Sequence, residues 1–128
     1  MSHGIKIMTN HAAWIEVNTE KLQANLNAVK SLVGPSKKVM AVVKANAYGH
    51  GIEGVSKCIS DQVDYFAVSN VSEGIQIRGC GIETPILVMG MCLLDNEIAI
   101  QHDISLSIST LEIAKAINAS AKASGKKG

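Results

Sequence analysis

Lys44 and Tyr48 stand four residues apart in "VMAVVKANAYGHG", residues 39–51. An unbroken apolar run, Val39 to Val43, ends on a single ammonium. A lysine in an apolar setting has its pKa lowered, because burial disfavours the charged form. It can then present a neutral amine, the species that condenses with an aldehyde. The small, glycine-containing stretch that follows reads as the opening turn of a helix, where backbone N–H groups suit a phosphate. The Tyr48 phenol adds a further donor. Amine and anion site would lie a few residues apart. The plainer reading is a solvated charge at a strand end and a turn containing one tyrosine and one histidine.

For these residues to act together, the chain must bring them to one edge of a sheet. After residue 38 a unit repeats about every 20 to 25 residues. Expected strands are 38–44, 64–71, 84–91 and 104–110. Expected helices are 51–62, 72–81 (capped by Ser72 and closed by Gly79 or Gly81), 93–102 and 111–124. Strands apolar on both faces, alternating with helices, indicate parallel βαβ units. Before them, "AAWIEVN" (12–18) alternates weakly and reads as a short strand. Asn18 then offers an N-cap to a helix whose apolar positions are Leu22, Leu26, Val29 and Val33. "GP" at 34 and 35 stops it.

Four such units suit a small doubly wound sheet or half of a (β/α)8 barrel, which normally takes about 250 residues. In either case function gathers at the C-terminal ends of the strands, where Lys44 lies.

Composition narrows the classes. Of 128 residues, 47% are hydrophobic and 18% charged, as in a folded domain. Twelve basic against eleven acidic residues speak against a nucleic-acid surface. Apolar runs fall short of the ~20 residues of a membrane helix. The N-terminus lacks a signal-peptide core, so a cytoplasmic location is expected. Cys58, Cys80 and Cys92 match no metal-ligand spacing and read as small apolar residues. No metal site is expected.

"AVVKANAYGHG" resembles the pyridoxal-phosphate motif of the alanine racemase family nearly letter for letter. "AWIEVNTEKLQANLNAVKSLVG" resembles the family's opening segment, and "DYFAVSNVSEGIQIRGCGIETPILVMG" a later one. The resemblance covers about residues 13–124, and residues 40–51 are its most specific part. It implies an α/β fold: parallel βα repeats forming about half of a TIM-type barrel, preceded by a strand and helix. Residues 1–12 would be a leader or tag-like segment, and 13–128 the N-terminal part of a truncated barrel. The family's C-terminal β domain would be absent.

The resemblance also implies roles. Lys44 matches the catalytic lysine that pyridoxal 5'-phosphate condenses with. Tyr48 matches a tyrosine on the cofactor phosphate. Met89 stands where the family usually has a leucine near the cofactor. His50 matches no assigned role and is left as a turn residue. The implied function is racemisation of L-alanine to D-alanine for the cell wall, by a homodimer. One proton-transferring base is the lysine; the other is a tyrosine of the partner's β domain. Without it this chain is expected to be inactive alone. A serine racemase of the same family and a non-catalytic cofactor-binding barrel are the alternatives. A doubly wound domain binding an anion or a protein is a third.

Overall fold

The computed structural model describes residues 13–91 and 94–126. Residues 1–12 and Cys92 lie outside them. Helix α1, Thr19–Val33, starts where Asn18 Oδ1 accepts the Lys21 N–H at 2.9 Å. It ends at Gly34, whose φ of +80° turns the chain out of the helix. Leu22 and Leu26 pack on the core, whereas Val29 and Val33 stay exposed.

Residues 13–18, expected as a strand, form none. Alternation alone does not make a strand; a neighbouring edge must accept its backbone bonds. Trp14 and Ile15 are exposed, and the Trp14 indole N–H donates to Glu16 Oε1 at 2.9 Å.

Next come β1 (Met40–Val42), a single turn α2 (Lys44–Tyr48), α3 (Ile52–Ile59), β2 (Tyr65–Val68) and α4 (Val71–Gly79). Then follow β3 (Ile86–Met91), α5 (Asn96–Gln101), β4 (Ile104–Ser107) and α6 (Leu111–Ala123). The expected strands and later helices are all present, shorter at their ends than the apolar pattern suggests. The cap of α4 is a correction: Asn70, not Ser72, accepts the Glu73 N–H, and the helix begins at Val71.

The four strands are parallel, in the order β1-β2-β3-β4. A doubly wound sheet reverses direction at a switch point. This one advances in one direction, as a barrel does. With one handedness of crossover, the helices then fall on one face. On that face Val43, Phe66, Val68, Ile86, Val88 and Ile104 are buried beneath α3, α4 and α5. Phe66 and Ile86 are fully enclosed. On the other face Met40, Val42, Met89 and Met91 stay exposed.

Arg78 of α4 fastens the N-terminal ends of β3 and β4. Its guanidinium donates to the carbonyls of Ile82 and Thr84 (both 2.8 Å), His102 (2.9 Å) and Asp103 (2.8 Å). Burial lowers its pKa, partly opposed by the charges of Asp103 and Glu83.

Candidate functional site at the C-terminal rim

The sheet register assembles the site. Val42 pairs with Ala67, and Ala67 with Leu87. The β1–β2 pairing ends at Val42 and Ala67, and the β2–β3 pairing at Val68 and Val88. Lys44 follows the C-terminal end of β1 by two residues, and Met89 lies in the C-terminal half of β3. Tyr48 stands in the loop that leaves β1 there, 60% exposed. The three residues expected to act together share one rim. Lys44 itself is half-buried.

The turn between them differs from expectation. It does not open a right-handed helix. Ala45, Asn46, Ala47 and Tyr48 all have φ between +52° and +54°, a left-handed turn. Such a conformation costs roughly 1–2 kcal/mol per L-residue and persists only where the surroundings over-determine it. Asparagine tolerates it best, by bonding locally. Asn46 Oδ1 accepts the Ile52 N–H at 2.9 Å and so caps α3 from outside. Ala47 is buried, and its N–H donates to Val43 O at 2.9 Å. Gly49, with φ +88°, ends the turn.

This geometry changes the expected anion site. The N–H groups of Gly49, His50 and Gly51 donate to carbonyls within the turn, and that of Ile52 to Asn46. With the Ala47 N–H they are already engaged and do not form an open cradle. The Tyr48 phenol is an exposed donor group on the turn. The His50 Nδ1 lies 3.0 Å from Ala47 O, which fixes the ring against the turn.

Two residues absent from the sequence-based site support it. Glu73 accepts the Ala45 N–H with Oε1 at 2.7 Å and the Ser69 N–H with Oε2 at 2.8 Å. Its signal was the "NVSE" spacing of a helix cap. Gly90 beside Met89 lets β3 approach β2: a Cβ there would run into Ser69 O. A side chain at 90 would push the Met89 backbone off the rim.

A groove of about 560 Å³ lies nearby, lined by Trp14, Ile15, Leu22, Asn46, His50 and others. It borders the turn but includes none of Lys44, Tyr48 and Met89, so the rim is the better site. Among the described residues no His, Cys, Asp and Glu cluster could hold a metal ion. Cys58 and Cys80 are free, half-buried thiols. Among the described residues no helix is long and apolar enough to cross a membrane.

Comparison with known proteins bears on the family and the fold. The family model "Alanine racemase, N-terminal domain" matches residues 17–128. An alanine racemase of Methanococcus maripaludis is 39% identical over 122 residues, 93% of this chain and 32% of that protein. One from Streptococcus uberis is 43% identical over 105 residues, 78% of this chain and 28% of that protein. The solved alanine racemase of Clostridium difficile 630, in complex with cycloserine, matches with a TM-score of 0.82 at 40% identity. That match covers 85% of this chain and 30% of the other. The chain spans about a third, or less, of the length of these relatives. With the family model matched from residue 17 onward and the fold shared, the chain belongs to the alanine racemase N-terminal domain family.

Proposed function

We propose that this chain binds pyridoxal phosphate and supplies one half of an alanine racemase site. The observation that supports this reading is a parallel sheet of sequential strand order in which Lys44 and Tyr48 follow the C-terminal end of β1 and Met89 lies toward the C-terminal end of β3. When bound, the cofactor supplies an aldehyde that condenses with amines and a ring that takes up charge left at an amino-acid Cα. The residues fit its two ends. The Lys44 amine would take the aldehyde, and the Tyr48 phenol would donate to the phosphate. Met89 lines the rim between β2 and β4 with an apolar side chain. The turn's own amides do not fit the phosphate, so Tyr48 is its donor here.

Lys44 has a second task in this reading. With cofactor and substrate bound, its Nζ would lie at one face of the substrate and could hold or return a proton at the substrate Cα. Inversion also needs a proton donor on the opposite face. That role, and the remaining phosphate contacts, we assign to residues outside this chain. The substrate is alanine by the names of the relatives.

Borohydride reduction in the presence of pyridoxal phosphate, followed by peptide mass mapping, tests the reading. Lys44 should carry the label well above the other lysines, and Lys44→Ala should lose it. Labelling spread evenly over the surface lysines would refute cofactor capture at this rim.

A further inference from the structure

Glu73 is the third residue of α4, and Asn70 Oδ1 accepts its N–H at 3.0 Å. That is half of a capping box, in which the glutamate ordinarily turns back to the cap residue's own amide. Glu73 does not. Its Oε2 takes the N–H of Ser69, one residue before the cap, at 2.8 Å. Its Oε1 leaves the helix and takes the Ala45 N–H at 2.7 Å, 28 residues away in sequence. Capping explains the first bond and not the second.

The second bond stands where the sheet ladder stops. The Val43 N–H donates to Ala67 O at 2.9 Å. Continued by two residues, the ladder would send the Ala45 N–H to Ser69 O. The left-handed turn begins at Ala45 instead, and the Glu73 carboxylate receives the amide that the ladder gives up. One carboxylate therefore joins the ends of β1 and β2 at the point where Lys44 is presented. An Ala-Asn-Ala-Tyr segment has no intrinsic reason to hold four left-handed residues. An external acceptor fixed on a helix supplies that reason at its first residue.

We propose that Glu73 is the positioning residue for Lys44: its carboxylate sets the backbone that carries both the amine and the Tyr48 phenol. The proposal rests on the function proposed above and deepens it. A carboxylate accepts at both oxygens. A glutamine of the same shape accepts at one and turns N–H donors toward the second amide. An aspartate keeps the charge but is one methylene short of spanning Ala45 and Ser69.

The test compares reductive labelling of Lys44 by pyridoxal phosphate with labelling by pyridoxal, which lacks the phosphate. Wild type should prefer the phosphate ester, because amine and phenol are held in register. In Glu73→Gln and Glu73→Asp that preference should fall about tenfold, the effect of losing one charge-assisted bond. Loss of overall stability, measured well below the unfolding midpoint, would leave the ratio unchanged. A ratio equal to wild type in both folded variants overturns the proposal. Amide hydrogen exchange on the wild-type chain is the second arm: Ala45 should exchange as slowly as Val43. Exchange at Ala45 like that of an open loop overturns the proposal even if neither variant folds. Absence of Lys44 labelling in wild type would instead sink the proposed function, and the Ala45 exchange rate would still decide the clamp.

Discussion

The Ile52 N–H donates to Asn46 Oδ1 at 2.9 Å, so a side chain in the left-handed turn caps the helix that follows it. Gly51, at the cap position of α3, has φ +90° and no side chain to offer. Asn46 meets two demands at once, a positive φ and an acceptor. Asn46→Asp should therefore unfold in urea at nearly the wild-type midpoint. Asn46→Gly keeps the backbone but loses the cap, at about 1 kcal/mol. Asn46→Ala loses both and should cost about 2 kcal/mol. Equal midpoints for Ala and Asn would show that the bond carries no weight.

Arg78→Ala should be costly although it lies away from the rim. It strips charged donors from the carbonyls of Ile82, Thr84, His102 and Asp103. The expected cost is about 2 kcal/mol, since the part-buried carbonyls of Ile82 and Thr84 lose their donor while those of His102 and Asp103 can turn to water. Arg78→Lys should recover little, because one ammonium cannot span the fork. Lys44 labelling in the folded fraction should not change, as Arg78 sits at the opposite ends of the strands. Urea titration of both variants, with labelling at low denaturant, checks each part.

The strands and helices were legible because runs such as Val39 to Val43 and Ile86 to Met89 are apolar on both faces and alternate with helical patterns, the mark of parallel βα units. Lys44 was legible as the one charge ending such a run. The strand order, which separates barrel from doubly wound sheet, is non-local and could not be read along the chain. The same holds for residues 13–18, whose alternation lacks a partner edge. Ser72 and Asn70 can both cap a helix; the end of β2 at Val68 selects Asn70. The left-handed turn was hidden for a further reason. Its first amide is held by Glu73, and no local pattern in "ANAY" announces a carboxylate 28 residues on.

Cys58 makes stability depend on pH. Burial raises its thiol pKa, and the charge of Asp61 raises it further. As pH rises, the unfolded chain gives up the thiol proton first. Between the two pKa values the unfolded state binds fewer protons, so stability falls with pH. The contribution is complete below the unfolded thiol pKa of about 8.5 and is lost as pH climbs through the higher folded value. Cys58→Ala removes this dependence. The urea-midpoint gap between wild type and Cys58→Ala should be wider at neutral pH than at about pH 10. A constant gap would mean the folded thiol titrates like the unfolded one.

The helix-free face of the sheet sets how the chain behaves at higher concentration. Met40 is 42% exposed, Val42 39%, Met89 49% and Met91 65%, the first two on β1 and the last two on β3, with β2 between them. β1 and β4 lie at the two ends of the strand order, so their outer backbone groups have no strand partner among the described residues. An apolar face bordered by open edges favours association, through burial of the face and through edge pairing. Light scattering across the micromolar range should show dimers or larger species. Met40→Thr, Val42→Thr and Met91→Thr together should shift the population toward monomer. The same triple variant should keep its circular dichroism, because the core under α3, α4 and α5 is built from the opposite face. The two sources of association separate in the result. If the face drives it, the triple variant becomes smaller; if the edges drive it, size is unchanged and a proline placed in β4 reduces it instead. A wild-type chain that stays monomeric over the whole range would show that neither surface is sticky, and the argument from exposure would fail.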